Sequence, residues 1–192
     1  MRSPESPSLR YDVDRYFALA EAGVIAPDER TELLDGIIVA MAPQSPLHAA
    51  AVYRVECALR DAFPPHTIIR GQLTFVAGPM SVPEPDIAVV AGTESDYLDR
   101  HPSTALLVVE VALTSVAQDR PTKAGIYAGA GAMNYWIVQP DKEWVEVYSG
   151  VRAEHRVYDS VVRVGPDAVL ELDGVAGVKV RASDLFPRRV TS

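Results

Sequence analysis

The run Ala105-Leu106-Leu107-Val108-Val109-Glu110-Val111-Ala112-Leu113 carries a single charge, and no other feature constrains the fold of this chain as strongly. Apolar residues flank Glu110 without alternation, which describes a strand covered on both faces rather than one with a wet face. Burying an uncompensated carboxylate costs several kcal/mol or more. Glu110 therefore needs a cation, a metal or a proton beside it.

Upstream, Val82-Pro83-Glu84-Pro85-Asp86-Ile87-Ala88-Val89-Val90 places an aspartate at the first residue of a β-branched run, immediately after two prolines. Proline cannot donate to a sheet ladder, so the pair sets where the strand begins. If this strand and the Glu110 strand pair antiparallel through the connection from Ala91 to Thr104, Asp86 and Glu110 meet at one sheet edge.

Downstream, Ser115-Val116-Ala117-Gln118-Asp119-Arg120-Pro121-Thr122-Lys123 reads as a loop entering a helix. Asp119 suits an N-cap and Pro121 suits only a first turn, so Lys123 stands near the helix N-terminus. Helical side chains lean toward the N-terminus, which aims the ammonium back at the strand end carrying Glu110. Carboxylates that hold a hard divalent cation, with a lysine that stabilises charge or orients water, are the parts of a metal-dependent phosphodiester hydrolase.

Each part also has a plainer reading. Asp86 suits a turn after Pro85. Asp119 and Lys123, spaced i, i+4, suit a surface ion pair worth ~0.3–0.5 kcal/mol. Glu110 is plain only if its strand has a wet face. Glu32 lies in Thr31-Glu32-Leu33-Leu34, joined by the hairpin signal Asp35-Gly36 to Ile37-Ile38-Val39-Ala40-Met41. Alternation alone leaves it either exposed or beside the acidic cluster.

Pro85-Asp86, Glu110-Val111, Asp119 with Lys123, Tyr127 and Asn134-Tyr135-Trp136-Ile137-Val138 resemble the Uma-type family of restriction-endonuclease-like bacterial proteins, within the PD-(D/E)XK nuclease superfamily. The resemblance extends to Glu32-Leu33-Leu34-Asp35-Gly36, to Pro43 through His48 and to Ala182-Ser183-Asp184-Leu185-Phe186. It implies Asp86 and Glu110 as metal ligands with the Val111 carbonyl as a third, Mg²⁺ or Mn²⁺ as the metal, Lys123 as the catalytic lysine and Glu32 as an N-terminal acid beside the site. The superfamily's usual lysine stands two residues after the glutamate, where this chain has Ala112; the family pattern moves it to the next helix. The family tends to be acidic where Asn134 and Gln139 stand. His48 follows Ser45-Pro46 at a helix start and is assigned to the surface or to the substrate edge of the site.

The chain's 192 residues and 48% hydrophobic content suit one α/β domain over 11–189 after a disordered lead at 1–10. Val13, Tyr16, Phe17 and Ala20 mark a helix that Gly23 can end. Leu47–Phe63 reads as a second helix, with strands near Thr67–Val76, Ile87–Val90 and Leu106–Ala112. Beyond the Lys123 helix, Asn134–Val138 and Trp144–Tyr148 flank a turn and form a hairpin. Short strands follow at His155–Tyr158, Val169–Leu172 and Val178–Val180. The result is a mixed sheet flanked by helices, with additional hairpins. Tyr135, Trp136 and Trp144 read as core.

Lone Cys57 excludes an intramolecular disulfide, and the four histidines are scattered. No apolar stretch is long enough to span a bilayer, and the amino terminus lacks a signal-peptide core, so a cytoplasmic protein is expected. A net charge of −8 opposes nucleic-acid binding unless charge is arranged locally. Arg54, Arg60 and Arg70 are candidates for a local basic face. The expectation is a Mg²⁺- or Mn²⁺-dependent endonuclease acting on DNA, with a homodimer as a hypothesis. Two alternatives stand beside it: a noncatalytic interaction module retaining the nuclease fold, and a metal-dependent hydrolase of small phosphate esters.

Overall fold

A computed structural model describes residues 10–113 and 120–188. Helix α1 (Val13–Glu21) is capped by Asp12, whose side chain accepts from the Arg15 amide, and strands β1 (Thr31–Leu34) and β2 (Ile37–Ala40) form the expected hairpin. Gly36 in its turn has φ +84°, and a Cβ there would lie 2.8 Å from Met80 Cε and 2.9 Å from Arg10 Cβ. Only glycine fits between these neighbours. Helix α2 (Pro46–Ala62) starts at Ser45, whose hydroxyl accepts from the His48 amide, with Pro46 in its first turn.

Strands β3 (Thr67–Gly71), β4 (Ile87–Ala91) and β5 (Leu107–Val111) lead into helix α3 (Arg120–Gly129). Strands β6 (Tyr135–Gln139), β7 (Trp144–Arg152) and β8 (Val157–Val164) complete a six-stranded sheet in sequence order. Neighbours in this sheet are antiparallel except β5 and β6, which are parallel because α3 provides the crossover. A separate hairpin joins β9 (Val169–Leu172) to β10 (Val175–Arg181).

Alternate residues of β4 and β5 enter two different cores. Ile87, Val89, Leu107, Val109 and Val111 pack with α2 and the β9–β10 hairpin, whereas Ala88, Val90 and Val108 pack with Tyr127 of α3. This explains the unbroken apolar runs: each strand is sandwiched, and burying each Val or Leu contributes about 1.5–3 kcal/mol. A third cluster of Tyr16, Leu33 and Val82 fastens α1 and the β1–β2 hairpin to the segment before β4.

Several expectations need correction. Strand β3 ends at Gly71 instead of continuing to Val76, because Gln72 turns into the left-handed region at φ +50°. His155 belongs to a 3₁₀ turn, and β8 runs on to Val164. Tyr135 and Trp136 are buried, but Trp144 is only partly so and stacks under the Arg163 guanidinium at 4.0 Å. Arg54, Arg60 and Arg70 do not form one basic face. Arg70 pairs in register with Ala88 of the α3-side core, opposite the face that α2 covers, and packs over Tyr97, while Arg60 is taken by Glu56. The lead at 1–9, Asp119 and its expected capping role lie outside the described residues.

Candidate active site

The β4–β5 register pairs Ile87 with Val109, so Asp86 and Glu110 come one step beyond the last pair, at the same strand ends. With the ladder finished, the Val111 amide donates instead to Asp86 Oδ2 at 2.8 Å. His48 Nε2 approaches the same oxygen at 3.2 Å. Gln72 Nε2 reaches Asp86 Oδ1 at 3.3 Å. Hydrogen bonding to Asp86 is the main reason the His48 pKa lies above its ordinary value; burial opposes the rise, and the charges of Asp86 and Glu110 support it.

Glu32 is brought in by tertiary docking. Leu33 and Val82 exchange amide–carbonyl bonds of 3.2 and 2.7 Å, which lays β1 along the proline segment. Between Pro83 and Pro85 only Glu84 has an amide hydrogen, and it donates to Glu32 Oε1 at 2.8 Å. Glu32 is 5% exposed, so the exposed reading is overturned. The alternation rule fails here because a second segment covers the hairpin face.

Lys123, in the first turn of α3, bridges the two halves. Its Nζ lies 3.0 Å from Glu32 Oε1 and 3.1 Å from Glu110 Oε1. Its partners come from other elements, and its side chain is mostly buried, which a surface i, i+4 pair would not be. Tyr127, one helical turn later, donates its hydroxyl to the same Glu110 oxygen at 2.6 Å. Glu110 Oε2 has no protein hydrogen-bond partner among the described residues.

Burial lifts the Glu110 pKa to about 7; Lys123 opposes the shift, Asp86 and Glu32 add to it, and the Tyr127 bond moderates it. For Lys123, burial disfavours the charge, but the carboxylates of Glu110 and Glu32 outweigh it and hold the ammonium above its ordinary value. Burial, reinforced by Glu110, pushes the Tyr127 phenol well above 10, so it remains a donor. The requirement set by Glu110 is met by a lysine and, near neutrality, by a proton.

Sequence reasoning thus placed Asp86, Glu110 and Lys123 together, and the structure gathers them with Glu32 and His48. It missed the contacts of Tyr127 and Gln72. Tyr127 was legible from its i, i+4 spacing to Lys123. Gln72 had no local signal. Among the described residues, no three His, Cys, Asp or Glu side chains are arranged to hold a metal ion. The available donors are two carboxylates and the Val111 carbonyl, all hard oxygens. That set suits Mg²⁺ or Mn²⁺, which keep several waters and need only one or two carboxylates, and it does not suit a closed zinc cage.

A mixed sheet with carboxylates at the ends of two central strands and a lysine from the next helix defines a restriction-endonuclease-like domain. The chain belongs to the family whose model is described as "Uma2: Putative restriction endonuclease", which matches residues 13–183. Among solved structures it is similar to one titled as a putative nuclease belonging to DUF820 from Anabaena variabilis ATCC 29413, at 17% identity and a TM-score of 0.72. The match covers 92% of this chain and 97% of that one. A comparison with curated proteins returns no match. Among the described residues, no helix is long and apolar enough to cross a membrane.

Proposed function

We propose that this protein is a cytoplasmic endonuclease that hydrolyses DNA phosphodiester bonds with Mg²⁺ or Mn²⁺. The observation that carries this reading is the convergence of Asp86 and Glu110 at adjacent strand ends with Lys123 joined to Glu110. Family membership and the name of the structural neighbour support the nuclease class.

Asp86, Glu110 through its Oε2 and the Val111 carbonyl would hold the cation. When bound, it would supply charge neutralisation at the phosphate and an acidified water. Lys123 has three donors, of which two are committed to Glu110 and Glu32. The third, without a partner among the described residues, would serve a phosphate oxygen or the attacking water, and the charge would offset what develops on the phosphorus oxygens. Glu32 keeps the ammonium in place. Tyr127 and Lys123, both on Oε1, fix the plane of Glu110 and leave Oε2 for the metal. His48 stands against Asp86 at the substrate edge and would meet the incoming backbone. A homodimer would present two such sites to a duplex; a monomer in ultracentrifugation at high concentration would remove that element.

One observation favours a second reading, a noncatalytic module retaining the fold: Lys123 pairs with both Glu32 and Glu110, so the cluster has a cation of its own without metal. Cleavage of supercoiled plasmid and of single-stranded DNA, with Mn²⁺ or Mg²⁺, separates the two. Nicking by the wild type that disappears in Glu110→Gln and Lys123→Ala is expected. No cleavage of either substrate, with no rise in thermal stability on adding Mn²⁺, would favour the module.

A further inference from the structure

Four described non-glycine residues have positive φ: Asp35, Gln72, Glu143 and Arg156. Three sit in connections between sequential strands that require such a residue: Asp35 between β1 and β2, Glu143 between β6 and β7, and Arg156 closing the turn between β7 and β8. Gln72 is different. It follows β3, whose partner β4 begins much later in the chain, so no tight hairpin demands its φ of +50°. Glutamine lacks the short polar side chain that eases Asn or Asp into this region, so the conformation is strained and something must hold it.

Asp86 is what it touches. The Gln72 amide donates to the Asp86 carbonyl at 3.1 Å, and its carboxamide Nε2 donates to Asp86 Oδ1 at 3.3 Å. The other carboxylate oxygen is held by the Val111 amide and His48. Gln72 is the side chain on Oδ1 among the described residues. An aspartate fixed through Oδ2 alone can swing about χ2, a broad torsion, whereas one fixed through both oxygens cannot.

We infer that Gln72 is a positioning residue whose left-handed backbone aims its carboxamide at Asp86 and sets the carboxylate plane for a divalent cation. This rests on the metal reading proposed above. Partners of this kind orient a ligand without touching the ion.

The test measures Mn²⁺ affinity by calorimetry and metal-free thermal midpoints for wild type, Gln72→Gly and Gln72→Leu. Glycine relieves the backbone and removes the carboxamide; leucine removes the carboxamide at similar size and keeps the strain, and both keep the main-chain bond to the Asp86 carbonyl. Both variants should bind Mn²⁺ about tenfold more weakly, although the glycine variant should be the more stable of the two without metal. A positioning role predicts equal losses of affinity across that stability difference, and a merely structural role does not. Unchanged affinity in both variants, or a loss in only one, would overturn the inference while leaving the metal site standing. A wild type that binds no Mn²⁺ would overturn both.

Discussion

Two lysine–carboxylate clusters sit in opposite surroundings. Lys123 lies 3.0 Å from Glu32 and 3.1 Å from Glu110, with side-chain exposures of 16%, 7% and 16%. On the β9–β10 hairpin, Lys179 lies 2.6 Å from Glu171, at exposures of 64% and 66%. The shorter contact is the weaker one energetically. Water screens the hairpin pair, while the Lys123 cluster has lost most of its hydration and depends on its own members. Burial, more than distance, decides which pair the fold relies on.

Removing each lysine would break that comparison most sharply. Lys123→Ala leaves two mostly buried carboxylates without their cation and should lower unfolding stability by about 3–5 kcal/mol in metal-free buffer at pH 8. Lys179→Ala should leave the denaturation midpoint where it was. Similar midpoints for the two variants would mean that water enters the Lys123 cluster freely.

Metal addition is the next largest effect. At a Mn²⁺ concentration of about one hundred times its dissociation constant, wild type should gain ~2.7 kcal/mol. Glu110→Gln should lose that gain, because its amide cannot replace a carboxylate ligand. Substituting Glu171, on the surface pair, should leave the gain intact. A Mn²⁺-induced thermal shift of equal size in Glu110→Gln would remove Glu110 from the ligand set.

The same contrast marks how far the site could be read from the sequence. Asp86 and Glu110 were legible because Pro83 and Pro85 fix a strand start and an unbroken apolar run identifies a strand sandwiched between two cores. Lys123 was legible because Pro121 belongs in a first turn. Glu32 was not: its burial comes from β1 docking on the proline segment, a long-range contact that alternation cannot report. Gln72 was missed for a similar reason, since both of its hydrogen bonds to Asp86 reach across the sheet end to a residue far along the chain. On the far edge, β8 exposes Val157, Val161 and Val162, so no buried face marked its length.

Acidity separates the two regions with opposite signs. Burial raises the folded pKa of Glu110 to about 7, above its unfolded value. Its contribution to metal-free stability is therefore complete below the unfolded value and is lost as pH rises through about 7. Mn²⁺ needs the ionised carboxylate, so affinity should strengthen about tenfold from pH 6 to pH 8. Glu171 is shifted the other way, by its hydrogen bond to Lys179, so its contribution is present near neutrality and is lost only in acid. Calorimetric titration with Mn²⁺ at three pH values checks the first trend. A flat response from pH 5 to pH 8 would mean that Glu110 titrates outside that window or does not bind the metal.

The smallest expected effect comes from a single oxygen atom. Tyr127→Phe removes the 2.6 Å donor from Glu110 Oε1 and leaves Lys123 in place. The lost bond should cost about 1 kcal/mol of stability. Because the Tyr127 hydroxyl favours the ionised carboxylate, its loss should also move the pH midpoint for Mn²⁺ binding upward from the wild-type value. These two readouts separate a packing role from an electrostatic one. A fall in stability with an unmoved pH midpoint would make Tyr127 a core residue that happens to touch the site. An upward shift of the midpoint would show that α3 tunes the acid at the end of β5 through two side chains one turn apart, an arrangement for which the exposed Lys179–Glu171 pair has no counterpart.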